Sequence, residues 1–385
     1  MRLRLGIVGA VRCGRIMVGA AGVVVSVTVA LAGPAGARAG EAPGTVTDLV
    51  ELAGRLRVTG ATTAERLTYW SRGPRGPMQS TGVLYLPEGS PPQGGWPIIA
   101  YAHGTSGIAD ECAFTLQPRD YYLTSVYPDL LHAGYAVVIS DYVGLGTPGV
   151  HPYLDGPAQA RSIVDGVRAA RAVAPSLGTR WAVFGQSQGG HAALFTAHLA
   201  PADAPELDLR GAASTGTPSN LDALFPLAGP WLPRLPLQKT TTYFGMLLAG
   251  LRASAPELDI DSYLTPVGRD VLRIVEADCA AEADAQVASI GIGAMLSRPL
   301  DDPALLAAVR AMLRVPTSGY TVPLYLGQGL TDLEVPAPLT LELIAELRAS
   351  GTDLRVGWYP GDHLGAAREA FPEALAFLRS VLDRP

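Results

Sequence analysis

Short apolar runs alternate with stretches of helical periodicity along most of this chain. Two segments of alternating apolar and polar residues, 65–71 and 80–87, predict an antiparallel pair of strands joined by a Gly/Pro turn. Further buried strands are predicted from the apolar runs at 96–104, 135–141, 180–184, 209–214, 322–327 and 354–359. Helical spacing predicts helices over 120–133, 158–174, 338–349 and 366–382, and residues 40–60 are expected to form a helical lead-in. Strands that alternate with helices indicate an α/β fold whose mostly parallel central sheet is flanked by helices on both faces.

One long interval, residues 218–317, departs from this alternation. It lacks an apolar run typical of a parallel strand, and prolines interrupt its apolar helical segments. The chain is therefore predicted to consist of a core in two parts, residues 40–217 and 318–385, with a large helical cap inserted between them. The cap's apolar side chains either pack it onto the core or line a pocket for an apolar acyl or alcohol group. Phe244 and Leu248 are expected to line that pocket.

The first 39 residues have the features of a signal peptide. Four arginines precede an apolar stretch at 18–31, and Ala37-Arg38-Ala39 is an A-x-A cleavage site. An uncleaved membrane anchor is the alternative, but the small-residue site and the break at Gly33-Pro34 favour cleavage. The sequence therefore predicts a secreted protein.

The charge of the exported chain limits its partners. Loss of residues 1–39 would remove five arginines and no acidic residue, which changes the formal net charge from −6 to −11. So acidic a chain is poorly suited to bind nucleic acids or anionic membranes. The sequence also has no phosphate-binding loop and no clustered spacing of metal ligands, so neither a cofactor nor a metal ion is expected.

Two cysteines, Cys112 and Cys279, remain in the exported chain. In an oxidising compartment they can form one disulfide, and two buried free thiols are the alternative. Neither cysteine has the neighbouring histidines expected of a nucleophile or a metal ligand.

The segment Gly185-Gln186-Ser187-Gln188-Gly189 is the clearest chemical signal in the chain. A predicted strand precedes it and a helix-forming segment at 190–197 follows it, which is the setting of a nucleophile elbow. A serine at so sharp a turn needs glycines two residues before and after it, because side chains there would collide. The helix that begins at the turn directs its N–H groups and positive dipole end at the serine. Ser187 is therefore the predicted nucleophile.

A serine nucleophile needs a base and a carboxylate that holds this base in the correct tautomer. In such folds the chain order is Ser, Asp or Glu, then His, with each partner in a loop after a late strand. Asp332 follows the strand predicted at 322–327, and His363 follows the last predicted strand. Glu334 is the alternative to Asp332. The other five histidines either precede Ser187 or lie on predicted helices away from a strand end.

Two backbone N–H groups are expected to bind the carbonyl oxygen once it becomes negatively charged. One belongs to Gln188, the residue after the nucleophile, and the other to the loop after the strand that ends at His103. Thr105 is the predicted second donor, with Gly104 and Ser106 as alternatives.

Four segments of the chain have a recognisable pattern: Ala102-His103-Gly104-Thr105, Asp141-Tyr142-Val143-Gly144-Leu145-Gly146-Thr147-Pro148-Gly149-Val150-His151-Pro152-Tyr153, Gly185-Gln186-Ser187-Gln188-Gly189-Gly190 and Gly361-Asp362-His363. Together they resemble the secretory lipase family, the lipase A type of α/β-hydrolase. The resemblance implies an α/β-hydrolase fold and an exported carboxylic ester hydrolase with Ser187, Asp332 and His363 as its triad. It also implies that Cys112 and Cys279 pair and tie the cap to the core.

These observations predict a secreted serine ester hydrolase, a lipase or esterase, that acts on apolar esters. The expected form is a monomer whose cap contacts a lipid interface transiently, and no cationic group is expected near the triad. An acyltransferase or a tailoring hydrolase of secondary metabolism would use the same triad, and no sequence feature excludes a peptidase. A non-catalytic binding protein is a fourth alternative, although such domains usually lose a triad member.

Overall fold

Within the described residues, nine strands form one sheet. The computed structural model describes residues 40–118 and 120–383, so the predicted signal peptide lies outside the described residues. In chain order the strands are β1 (Val46–Glu51), β2 (Ala61–Gly73), β3 (Gly76–Pro87), β4 (Trp96–Ala102), β5 (Ala136–Val143), β6 (Leu177–Gln186), β7 (Asp208–Thr215), β8 (Leu324–Gly329) and β9 (Leu354–Tyr359).

The helices follow the strands as the sequence predicts. They are α1 (Tyr127–His132), α2 (Gly156–Val173), α3 (Gln188–Asp203), α4 (Thr240–Ser254), α5 (Pro266–Ala277), α6 (Ala280–Val287), α7 (Ile292–Met295), α8 (Pro303–Leu313), α9 (Ala337–Ala349) and α10 (His363–Leu382). Apart from the lead-in at residues 40–60, the strands and helices predicted for the core are confirmed, with ends that differ by a few residues.

The sheet has the spatial order β1-β2-β3-β5-β4-β6-β7-β8-β9. In this spatial order the first three pairs, β1·β2, β2·β3 and β3·β5, are antiparallel. The five pairs that follow, from β5·β4 to β8·β9, are parallel. Helices α2, α3 and α9 cover one face, and α1 and α10 cover the other. Every residue of β5 is buried, which explains why the parallel strands are continuous apolar runs in the sequence.

The predicted helical lead-in at residues 40–60 is wrong. Residues Val46–Glu51 form the edge strand β1, which pairs antiparallel with β2. Its β-branched residues suit an extended backbone, and the free edge of the long strand β2 offers hydrogen-bonding groups for it. Most side chains of β1 are exposed, so no buried stripe marks it as a strand.

No strand occurs among the described residues between the end of β7 and the start of β8, and helices α4–α8 occupy this interval, which the sequence predicts to be a cap. Their buried side chains form one hydrophobic cluster, which Ile108, Tyr153 and Leu154 of the core join. Met246 and Leu248 on α4 lie in that cluster with no exposed surface, and Phe244 packs against it. Because α4 buries its apolar side chains inside the cap, they are not an exposed patch.

No helix of the described chain is both long enough and apolar enough to cross a bilayer.

A disulfide joins the cap to the loop after β4. It links Cys112 in that loop to Cys279, which directly precedes α6. The N–H of Ala280 also donates to the carbonyl of Ser106 at 2.9 Å. The first turn of α6 is thereby attached to the same loop that contains Thr105.

Replacement of Cys279 by serine is expected to lower the free energy of unfolding. The disulfide connects residues 167 positions apart, and a loop of that length corresponds to about 5 kcal/mol in the chain-entropy model. Denaturant unfolding of the variant and of wild type measures the difference, and a Cys112→Ser/Cys279→Ser double variant should match the single one. Mass spectrometry of an unreduced digest should show the two cysteine peptides linked, whereas two alkylatable thiols in the native protein would contradict the bond.

Candidate active site

The predicted site residues meet at one end of the sheet. The loops that contain Thr105, Ser187, Asp332 and His363 follow β4, β6, β8 and β9, and these strands are parallel. The carboxyl ends of parallel strands lie at the same edge of the sheet, where open α/β folds form their crevice. Residues far apart in sequence are therefore adjacent here.

Ser187 lies at a strained turn between β6 and α3. Its φ and ψ are 58° and −122°, a region that side chains rarely adopt. A Cβ atom on Gly185 would lie 2.1 Å from the carbonyl oxygen of Gly189, and one on Gly189 would lie 1.9 Å from that of Ala102. Both glycines are therefore required for the backbone to pass so closely, as the elbow prediction assumes.

His363 and Asp332 are hydrogen-bonded to each other in a buried position. The distance from His363 Nδ1 to Asp332 Oδ2 is 2.6 Å. The other carboxylate oxygen of Asp332 accepts from the backbone N–H groups of Glu334 and Val335 at 2.9 and 2.8 Å. Because the carboxylate can only accept, Nδ1 of His363 carries a proton and Nε2 is left as an acceptor.

Nε2 of His363 accepts a hydrogen bond from Gln186. The distance from the Gln186 amide nitrogen to Nε2 is 3.0 Å, and the Gln186 side chain is buried between the β4 loop and the histidine. Ser187 and His363 line the same cleft, but in this state Gln186 occupies the lone pair that would accept the serine proton. Catalytic hydrogen bonds often form only once substrate has bound.

Glu334, the alternative acid, has different partners. Its Oε1 accepts from Lys239 Nζ at 2.7 Å, and its Oε2 accepts from the Tyr243 hydroxyl at 2.5 Å. Its backbone N–H, by contrast, holds the carboxylate of Asp332. The hydrogen bonds therefore pair His363 with Asp332 and leave Glu334 attached to the cap.

Two hydrogen bonds orient the peptides of the loop after β4. The hydroxyl of Tyr142 donates to the carbonyl of His103 at 2.8 Å, and His103 Nδ1 donates to the carbonyl of Gly104 at 2.7 Å. In a trans peptide the C=O and the following N–H point in opposite directions. These bonds therefore set the directions of the Gly104 and Thr105 N–H groups. Among the described hydrogen bonds, none has the Thr105 N–H as its donor.

The side chains of both predicted oxyanion residues are also held. The hydroxyls of Thr105 and Tyr153 share a hydrogen bond of 2.8 Å. His151 Nδ1 donates to the carbonyl of Val143 at 3.0 Å, so its Nε2 accepts from the Gln188 amide at 2.9 Å. Burial lowers the pKa of His151 to about 4, so the ring is neutral at pH 7 and keeps this tautomer. His103 is likewise neutral, because burial lowers its pKa to about 4.

A small cleft of about 160 Å³ opens beside Ser187. Its lining includes the apolar side chains of Phe114, Tyr122 and Leu364 and, from the cap, Lys239 and Tyr243. The expectation that Phe244 and Leu248 line the pocket is wrong, because α4 turns those residues into the cap's own core. The expected lack of a cation near the triad is also wrong, since Lys239 lines the cleft.

Several residues of the site are absent from the sequence prediction. Gly216, with φ of 55°, leaves room for the imidazole, because a Cβ atom there would lie 2.8 Å from Cε1 of His363. Tyr142, His151 and Tyr153 lie in the longest segment that carries the family resemblance, so a signal for them was present. Gln186 and Lys239 gave no sequence signal that separates them from surface residues.

Among the described residues, no group of three or more His, Cys, Asp or Glu side chains could hold a metal ion.

Comparisons of sequence identify related enzymes. The model of the secretory lipase family matches residues 114–287. Lipase A of Moesziomyces aphidis is 26% identical over 277 residues, a match that covers 66% of this chain and 55% of that protein. The chain therefore spans little more than half the length of this relative.

Comparisons of structure extend the similarity to most of the fold. The X-ray structure of Candida antarctica lipase A has a TM-score of 0.74 at 19% identity, over 89% of this chain and 83% of that chain. The rice cell wall degrading esterase LipA from Xanthomonas oryzae has a TM-score of 0.67 at 19% identity, over 89% and 97% of the two chains. The resemblance inferred from the four segments is thus confirmed: residues 114–287 match the model of the secretory lipase family, and the chain has the α/β-hydrolase fold.

Proposed function

We propose that this protein is a secreted serine hydrolase that cleaves carboxylic esters through an acyl-enzyme. The observation that carries the proposal is the buried pair of His363 and Asp332, bonded at 2.6 Å in the cleft that Ser187 lines. Relatives named as a lipase and as an esterase favour an ester as the substrate. Export is supported by the sequence of residues 1–39 and by the disulfide between Cys112 and Cys279.

In the proposed reaction, Ser187 Oγ attacks the ester carbonyl while Nε2 of His363 takes the hydroxyl proton. The imidazolium formed is stabilised by Asp332, whose carboxylate already accepts from Nδ1. Collapse of the tetrahedral intermediate breaks the bond to the alkoxy oxygen, which leaves as an alcohol with the proton from Nε2. A water molecule, deprotonated by the same nitrogen, then attacks the acyl-enzyme and releases the carboxylic acid.

The N–H groups of Gln188 and Thr105 are proposed to bind the oxyanion of that intermediate. Gln188 is the first residue of α3, so its N–H also lies at the positive end of the helix dipole. The carbonyl oxygen gains its charge only on the way to the intermediate, so such donors lower the barrier, by about 3 kcal/mol each. The apolar part of the ester would contact Phe114, Tyr122 and Leu364.

Substitutions in the triad are expected to abolish activity while the fold persists. Ser187→Ala, His363→Ala and Asp332→Asn should each lower kcat/KM for phenyl acetate by about three orders of magnitude or more, because the three groups act together. A fluorophosphonate reagent should label Ser187 alone in the wild type. Steady-state kinetics and mass spectrometry of the labelled peptide measure these effects.

Asp362→Asn is the matched control for Asp332→Asn. Asp362 adjoins His363 and caps α10 through a bond to the N–H of Gly365, a role that asparagine fills equally well. The control should therefore keep its activity within about twofold. Full activity of Asp332→Asn would contradict the assignment of the acid.

The bond from Gln186 to His363 leads to an unusual expectation, a substitution that accelerates acylation. The Nε2 lone pair accepts one strong hydrogen bond, so Gln186 and Ser187 compete for it. Gln186→Met keeps the volume but removes the donor, and should raise the rate of Ser187 labelling by an uncharged phosphonate. A neutral hydrogen bond contributes about 0.5–1.5 kcal/mol, which corresponds to a gain of about two- to tenfold. Slower labelling of a folded Gln186→Met protein would instead mean that Gln186 holds His363 in its working position.

Tyr142→Phe tests the alignment of the loop after β4. It removes a buried donor and leaves the carbonyl of His103 unsatisfied, so the peptide before Gly104 can rotate and displace the adjoining peptide that presents the Thr105 N–H. We expect kcat to fall about tenfold with little change in KM, because an oxyanion donor acts mainly in the transition state. An equal loss in Tyr127→Phe, whose buried hydroxyl lacks a hydrogen-bond partner among the described residues, would point to a general packing defect.

A further inference from the structure

The cleft beside Ser187 has one polar wall, formed by Lys239, Tyr243 and Glu334. Both Lys239 and Tyr243 belong to the cap, and both are bonded to the carboxylate of Glu334, which comes from the core. All three residues line the cleft together with Ser187 and His363. A polar group of the substrate at this wall would meet fixed donors and acceptors within reach of the reacting ester.

The position of Lys239 is specified by the fold. It is the only lysine of the chain, and it precedes α4 with φ of 53°, a left-handed conformation that costs free energy for a residue other than glycine. Its Nζ lies 2.7 Å from an oxygen of Glu334, whose side chain is 7% exposed. Strain of this kind persists where the surroundings hold a side chain in place, and it is common at ligand-binding sites.

The ammonium group of Lys239 retains unused hydrogen-bonding capacity. It has three N–H donors, and among the described residues only Glu334 accepts from it. The remaining donors suit an oxygen atom of a ligand. The charged side chains that line the cleft are Lys239, Glu282 and Glu334, so the lining has an excess of one negative charge when His363 is neutral. This balance favours a neutral ligand oxygen, such as a hydroxyl group, over a carboxylate or phosphate.

The size of the cleft limits the acyl group. Its volume of about 160 Å³ is below the ~300–1,000 Å³ typical of sites for drug-sized ligands. The apolar side with Phe114, Tyr122 and Leu364 is short, and α4 directs its long apolar side chains into the cap. A long acyl chain therefore has no apolar channel in this state of the protein.

We propose that the site selects esters of a short acyl group with a neutral, hydroxyl-bearing alcohol, and that Lys239, Tyr243 and Glu334 bind the hydroxyl groups of that alcohol. This inference rests on the proposed ester hydrolase function. A polyol and a sugar share the recognised chemistry, a hydroxyl one or two carbons away from the esterified carbon. Lys239 donates to the hydroxyl oxygen, and Glu334 accepts from its O–H.

The experiment compares kcat/KM within matched pairs of esters. Glyceryl monobutyrate is set against propyl butyrate, and a methyl glucoside 6-acetate against cyclohexylmethyl acetate, to separate a polyol from a sugar. Wild type should prefer the hydroxylated member of at least one pair by about tenfold or more, since bonds to charged groups contribute ~1.5–3 kcal/mol. Glyceryl monopalmitate, tested below its aggregation limit, should be cleaved much more slowly than the monobutyrate.

Variants assign the preference to the polar wall. Lys239→Met should reduce the ratio of hydroxylated to plain ester about tenfold, chiefly through a higher KM for the hydroxylated ester. Arg234→Met is the matched control, because it removes an exposed cation of the cap that does not line the cleft, and its ratio should equal that of wild type. Tyr243→Phe is a second test with the ring retained, in case Lys239→Met lowers the melting temperature. Glu282→Gln should raise the rate for a hemisuccinate ester, because it removes the excess negative charge.

Each outcome decides the inference. Equal rates for the members of both pairs, a preference for the palmitate ester, or an unchanged ratio in folded Lys239→Met and Tyr243→Phe would overturn it while leaving ester hydrolysis intact. A preference for methyl lactate over methyl propionate without one for the hydroxylated alcohols would overturn the placement of the hydroxyl on the alcohol. Failure of the protein to hydrolyse phenyl acetate or to react at Ser187 would instead refute the proposed function itself.

Discussion

The approach of two backbone segments at the end of the sheet is the constraint on which the rest of the site depends. The turn after β6 passes so close to the end of β4 that a Cβ atom on Gly189 would lie 1.9 Å from the carbonyl oxygen of Ala102. This contact places Ser187 beside the loop that contains Thr105. It also begins α3 at the serine, so that the helix dipole and the free N–H groups converge on the same point. A side chain at Gly185 or Gly189 would force the two backbone segments apart. Ser187 and the start of α3 would then move away from the loop that contains Thr105.

Buried hydrogen bonds transmit this arrangement to the loop after β4. Tyr142 near the end of β5, and His151 and Tyr153 in the segment that follows, each bond to a residue of the loop or of the elbow. In a buried environment such bonds are costly to break, because the separated groups cannot turn to water. The segment that carries the strongest family resemblance therefore serves to hold the residues proposed to bind the oxyanion. Its one histidine, His151, is a neutral structural group, which accords with its place before Ser187 in the chain.

The parts of this architecture that sequence predicts are those with a local cause. Apolar runs mark the parallel strands because both faces are buried, and the order of Ser187, Asp332 and His363 follows from the order of the strands that position them. The edge strand β1 escaped prediction because its side chains are mostly exposed and its partner is supplied by tertiary structure. The role of Lys239 depends on Glu334, 95 residues away, and that of Gln186 on His363, 177 residues away. Neither contact produces a periodic pattern in the sequence. The apolar positions of α4 also have the same spacing whether they line a pocket or pack inside the cap.

The disulfide makes the restraint on the loop that contains Thr105 depend on the redox state of the compartment. Cys112 and Cys279, with the bond from Ala280 to Ser106, fasten the start of α6 to the loop that contains Thr105. In a thiol-rich medium such as a bacterial or fungal cytosol, that loop would keep its hydrogen bonds but lose its covalent attachment to the cap. The loop that contains Thr105 would then be less restrained during synthesis than after oxidation. The redox state of the compartment would thereby determine when the disulfide forms and restrains the loop beside the cleft.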